Sequence, residues 1–132
     1  MTDLPNIYAA APRWAFGDNP GLADELLALV LDGRKRATCS SLVSCQADVM
    51  PAVGDLSVIL DGRGRPTCVI RTTEVRILAF DQVDEDFMRA EGEGDLSAQY
   101  WREGHQTYFE REGVFAPDMP LVCERFELVE VF

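Results

Sequence analysis

Residues 19–41 read Asn-Pro-Gly-Leu-Ala-Asp-Glu-Leu-Leu-Ala-Leu-Val-Leu-Asp-Gly-Arg-Lys-Arg-Ala-Thr-Cys-Ser-Ser, and this stretch decides the fold. Asparagine followed by proline opens a helix. Asn19 suits the N-cap, where a side-chain oxygen accepts an orphan N–H, and Pro20 suits the first helical position, where no N–H is needed. From Gly21 to Asp32 the residues Leu22, Ala23, Leu26, Leu27, Leu29 and Val30 recur at helical spacing. Asp24 and Glu25 sit in the first turns, where the helix dipole favours negative charge, and Gly33 is placed to end the helix in the left-handed conformation. Arg36 to Ser41 then reads as extended chain, in which Arg36 and Thr38 share a face by the period of two. Arg34-Lys35-Arg36 falls at the junction between helix and strand.

Downstream the pattern turns to short strands. Leu56 to Leu60 is one; Asp61-Gly62-Arg63-Gly64 is a turn; Thr67 to Arg71 and Glu74 to Phe80 are rich in Val, Ile and Thr. A short helix is expected over Gln82 to Arg89, and a long one from Leu96 to Arg111 capped by Asp95. Pro117 and Pro120 block helix, and Leu121 to Phe132 reads as a closing strand. Regular βαβ alternation is missing, which argues against a Rossmann-type sheet. The order predicts an α+β protein, one domain over residues 1–132, with a small mixed β-barrel and flanking helices.

The chain has 132 residues, 47% of them hydrophobic, enough for one core and not for separate cofactor and substrate domains. Its net charge is −11, from 23 acidic and 12 basic residues, which argues against coating nucleic acid by bulk electrostatics. The charge is uneven. Residues 1–33 carry −4, residues 34–76 carry +3 and residues 77–132 carry −10. The middle third is where phosphate would be welcomed. Asp81 to Asp95 holds seven acidic residues, either a solvated face or a loop folded over a basic pocket.

The N-terminal stretch shows no basic region followed by an apolar run, and the longest apolar run, Leu26 to Leu31, is far short of a membrane span. A cytoplasmic location without membrane contact is expected. Cys39, Cys45, Cys68 and Cys123 lack zinc spacing, so they are expected as small buried hydrophobes with no metal site, two disulfides being the alternative. The terminal strand leaves either a monomer or a homodimer open.

Lys35 is the one lysine; the other eleven basic residues are arginine. A lysine loses its proton when burial or neighbouring cations lower its pKa, which an arginine does not do. Thr38 beside a neutral lysine makes a nucleophile–base pair for amide hydrolysis, and Glu74 is the carboxylate expected to position the lysine or shuttle a proton. His105 lies among aromatic residues on the second long helix, either a packed, hydrogen-bonded residue or, with its aromatic neighbours, a ligand- or RNA-binding one. Trp14, Phe16, Tyr100 and Trp101 are core residues or the walls of a pocket, and Arg34, Arg36 and Arg71 are the arginines expected at a ligand or RNA backbone.

Gly33-x-Lys35-x-x-Thr38 after an amphipathic helix resembles the signature of the ASCH domain family. The resemblance continues through Gly54-Asp55, the 61–64 hairpin, Thr72-Thr73-Glu74-Val75, Phe80-Asp81, the Glu91-Gly92-Glu93-Gly94-Asp95 run, Tyr100-Trp101 and Pro120 to Phe126; Trp14-x-Phe16-Gly17-Asp18 looks like its longer members. It implies a PUA-like fold and a link to RNA and modified nucleosides. One branch of that family hydrolyses the acyl amide of N4-acetylcytidine with a lysine, a threonine and a glutamate, roles that would fall on Lys35, Thr38 and Glu74 with no cofactor. Another is described as a ribonuclease, which would call for Mg²⁺ or Mn²⁺. Three readings follow: an amidohydrolase-like enzyme on an acylated nucleoside, an RNA-binding or ribonuclease domain with single-stranded RNA as partner, and a noncatalytic nucleotide-binding module.

Overall fold

The computed structural model describes residues 6–132; the expected domain begins at residue 1, and residues 1–5 lie outside the described part. After a single 3-10 turn, Asn6–Tyr8, come β1 (Arg13–Trp14), α1 (Pro20–Leu31), β2 (Ala37–Ser41), α2 (Leu42–Ala47), β3 (Leu56–Leu60), β4 (Pro66–Ala79), α3 (Glu85–Glu91), α4 (Ala98–Glu112) and β5 (Pro120–Val131). The strands form one five-stranded sheet in the order β1-β3-β4-β5-β2. β1 runs parallel to β3, and every other pairing is antiparallel. The α+β class holds, but the expected barrel is not closed: the edges are a two-residue β1 and a five-residue β2, and they do not pair with each other among the described residues.

α1 forms for the reasons its sequence gives. The Asn19 side chain accepts from the Leu22 N–H at 2.8 Å, Pro20 opens the helix, and Gly33 ends the connection at φ 80°. Its buried face, with Leu26, Leu27 and Val30, packs on Ile59, Cys68, Ile70 and Phe126 of the sheet. Val58 and Val69 point to the other face and meet Tyr8, as alternation along a strand requires. A second cluster joins α3 and α4 to the sheet through Phe87, Met88, Trp101, Phe109, Leu121 and Cys123.

Several boundaries differ from expectation: the short helix expected over Gln82 to Arg89 is a 3-10 turn, Phe80–Gln82, followed by α3. The two strand segments at 67–71 and 74–80 are one strand, β4, whose register against β5 shifts at Thr72/Glu74; Thr73 is the extra residue of a bulge. The Asp95 carboxylate accepts from the Ser97 N–H, which turns the chain and hands the cap of α4 to Ser97. α2 was not expected; Ser41 caps it from the end of β2. The closing strand is internal, flanked by β4 and β2. No disulfide joins the four cysteines; Cys68 and Cys123 are buried, whereas Cys39 and Cys45 are half-buried. No helix among the described residues is long and apolar enough to cross a membrane.

Candidate active site

The end of α1 sets the position of Lys35. The Arg34 and Lys35 N–H groups both return to the Leu29 carbonyl, and the Arg36 N–H donates to the Ala90 carbonyl at 2.7 Å. This close turn drives Lys35 inward while Arg34 and Arg36 stay exposed. Lys35 is 2% exposed; its Nζ donates to the Ala37 carbonyl and to Glu93 Oε2, both at 2.9 Å. Nζ also stands 5.5 Å from the centre of the Phe16 ring.

Behind this pair lies a second. Glu91, the last residue of α3, is 1% exposed. Its Oε2 accepts from Trp101 Nε1 and from His105 Nε2, each at 2.7 Å. The other His105 nitrogen, Nδ1, lies 2.8 Å from the Trp101 carbonyl. A carbonyl and a carboxylate only accept, so both imidazole nitrogens carry protons and His105 is cationic. Its ring stacks on Trp101 at 4.1 Å between centroids. Burial opposes the charged form of His105, but Glu91, Glu93 and the Trp101 carbonyl outweigh it, and the pKa is raised. For Glu91 burial would push the pKa up; the charges of His105 and Lys35 and the hydrogen bonds from His105 and Trp101 win, holding it well below the ordinary carboxylate range.

These groups open into one cleft of about 320 Å³, whose walls include Trp14, Phe16, Thr38, Ser40, Tyr100 and Tyr108. The volume lies at the lower end of the roughly 300–1,000 Å³ usual for small-ligand sites. A second lobe of about 400 Å³ shares Trp14, Thr38 and Ser40 with it and continues to Thr72 and Glu124. Thr38 thus lines both cavities, directly across the β2–β5 ladder from Glu124.

The structure brings Lys35, Thr38, Trp14, Phe16, Tyr100 and His105 together at this cleft, and leaves other expected residues outside it. Glu74 sits at the β4 bulge, where its carboxylate pairs with Arg76 at 2.7 Å and faces Arg125 at 3.9 Å; it does not line the cleft. The bulge turns it toward an arginine-rich face. Arg71 pairs with Glu127 at 2.8 Å on the outer part of the sheet. Trp101 is a buried support for Glu91 and His105 rather than a wall. Arg34 and Arg36 line a separate pocket. The neutral lysine is also corrected: burial lowers the Lys35 pKa, but Glu91 and Glu93 together raise it above its ordinary value, so the resting form is the ammonium.

Glu91 and Glu93 are the residues that sequence reasoning missed. Their signal was the alternation Glu91-Gly92-Glu93-Gly94, which sends two carboxylates to one side and two glycines to the other. The acidic run is not a single solvated face. Asp84 pairs with Arg76 at 3.0 Å, Asp86 with Arg125 at 2.9 Å, and Asp95 turns the chain into α4. Ligand atoms of Cys39, Glu91 and His105 lie within 4.8 Å of one another. A thiol and an imidazole do not fit the oxygen-seeking Mg²⁺.

A model of the ASCH domain matches residues 12–130. No curated protein sequence matches the chain. Among solved structures, a protein of Enterococcus faecalis is 41% identical, with a TM-score of 0.83 over 91% of this chain and 77% of its own. An ASCH domain from Lactobacillus crispatus is 38% identical, with a TM-score of 0.82 over 89% of this chain and 79% of its own. A mutant ASCH protein from Zymomonas mobilis, 14% identical with a TM-score of 0.51 over 82% of this chain and 68% of its own, shares the fold. The matched residues span both faces of the cleft, from Trp14 to the β5 strand, and the chain belongs to the ASCH domain family.

Proposed function

We propose that this protein is an amidohydrolase acting on an acylated nucleoside of the N4-acetylcytidine type, with Thr38 as nucleophile and the Lys35–Glu93 pair as its proton relay. The observation that carries the reading is the buried Lys35–Glu93 contact at 2.9 Å, opening into the same cleft as Thr38. The cleft's size suits one nucleoside, and its aromatic walls suit a flat base. The carboxylate role assigned to Glu74 by resemblance passes to Glu93, with Glu91 and His105 holding the charge balance behind it.

Lys35 has three N–H groups, of which two are committed to Ala37 and Glu93. The third serves the cleft. A substrate that fills the cleft removes water from Glu93, the more exposed partner at 23%, and lowers the cost of the neutral form of the pair. Lys35 then passes one proton to Glu93 and takes the hydroxyl proton of Thr38. The Thr38 oxygen attacks the acyl carbon, and Lys35 and Ser40 donate hydrogen bonds to the oxyanion. Glu93 returns its proton to the leaving amine as the C–N bond breaks, which leaves an ester on Thr38. Water hydrolyses that ester by the same relay: its proton passes through Lys35 to Glu93, its oxygen bonds to the acyl carbon, and Thr38 leaves with the proton Glu93 returns.

The test is carboxylic acid release from N4-acylated cytidines by wild type, Lys35→Met and Thr38→Ala, with folding checked by circular dichroism. Loss of at least a thousandfold in both folded variants supports the reading. No acid release from wild type across several acyl groups refutes it. Free thiols at all four cysteines accord with a cytoplasmic protein.

A further inference from the structure

Lys35 and Glu93 point into the cleft, and the residues on either side of each point away from it. Arg34, Arg36, Gly92 and Gly94 line a second cavity of about 490 Å³ behind the cleft wall. The wall is thin. Gly92 adopts φ 72°, and a Cβ there would collide with the Arg34 carbonyl oxygen. The two segments therefore touch through bare backbone.

Arg89 of α3 and Arg125 of β5 also line it, so four arginines from three parts of the chain border the cavity; Asp86 is the one lining carboxylate. Three of the four have acidic partners, including Glu74 at 3.9 Å from Arg125. Arg34 pairs outward with Asp32 at 2.8 Å, in a contact exposed on both sides. Arg89 comes no closer than 3.7 Å to an acidic oxygen. Arg125 holds Asp86 at 2.9 Å, and Arg36 has no ion pair among the described residues. The chain has 23 acidic residues and a net charge of −11, so a lining of four arginines and one carboxylate is a local departure from its overall charge.

We infer that this cavity is a binding site for a phosphate group, held by Arg34, Arg36, Arg89 and Arg125. Guanidinium forks match the paired oxygens of a phosphate and hold it by charge-assisted hydrogen bonds. The inference goes beyond the hydrolase reading and does not depend on it. If both hold, the ligand of the cleft is a nucleotide unit rather than a free nucleoside. The phosphate source is either a small phosphate ester or an RNA backbone, and one experiment separates them.

Wild type, Arg36→Ala and Arg63→Ala are titrated with inorganic phosphate, with cytidine monophosphate and with a short fluorescent oligoribonucleotide, from low salt upward. Arg36 is exposed, so its removal spares the core, and Arg63 in the 61–64 turn reports nonspecific charge loss. Binding should weaken with salt and fall at least fivefold in Arg36→Ala while Arg63→Ala stays within twofold. Such a fall with phosphate and the monophosphate alone assigns a small ester; the same fall with the oligoribonucleotide assigns an RNA backbone. Equal weakening in both variants, or no binding of any ligand by wild type, overturns the inference.

Discussion

Replacing His105 by alanine leaves the Glu91 carboxylate buried with the Trp101 indole N–H as its remaining direct donor. Breaking a buried ion pair from one side costs about 3–5 kcal/mol, because an uncompensated charge stays inside. For a domain of this size that is a fall in Tm of roughly 10–20 °C. The pH dependence is more diagnostic. Glu91 has a lowered folded pKa, so its share of the stability is present above 4.5 and fades as pH falls through the folded value. His105 has a raised folded pKa, so its share is present below 6.5 and fades as pH rises through the folded value. The pair is at full strength between those two pH values. Above 6.5 wild-type stability should decline, by at most about 1.4 kcal/mol per pH unit, and His105→Ala should lack that component. Urea unfolding of both proteins at half-unit pH steps measures the difference. A cost below about 1 kcal/mol, or parallel pH profiles from 5 to 8, would show that His105 is not the charged partner of Glu91.

Three further substitutions probe separate parts of the account. Glu74→Gln should leave acid release within twofold of wild type, because that carboxylate faces Arg76 and Arg125 and not the cleft; a fall beyond tenfold in a steady-state assay would restore its expected catalytic role. Gly92→Ala combines a left-handed φ with a collision at the Arg34 carbonyl and should cost more than about 1 kcal/mol, read by urea unfolding. Asn19→Ala removes the cap of α1 and should cost about 1 kcal/mol, seen as a fall of a few degrees in Tm without loss of ligand binding.

The sequence was most informative where one local rule governed. α1 is bounded by Asn19, Pro20 and Gly33 within one residue of expectation, because caps and helical spacing act over a few residues. Lys35 and Thr38 line the cleft where the family resemblance put them, since the turn after α1 that fixes Lys35 is local. Glu74 lies away from the cleft because the bulge at Thr73 changes which way β4 presents its residues, and a bulge depends on pairing with a strand some fifty residues away. Glu91 and Glu93 sit in an acidic run that composition leaves open between a solvated face and a loop over a basic pocket; which carboxylates turn inward is set only when α4 brings His105 and Trp101 against α3. Closure of the sheet was likewise beyond local rules, since it depends on whether β1 and β2 meet.

The central claim is that Thr38 carries the acyl group. Wild type mixed with N4-acetylcytidine, quenched in acid within milliseconds to seconds and digested with trypsin, yields a peptide beginning at Ala37 that contains Thr38. Mass spectrometry of that peptide should find one acetyl group on Thr38, appearing before the steady state and absent in Thr38→Ala. Steady acid release with no acetylated intermediate, or acetylation at another residue, would contradict the account.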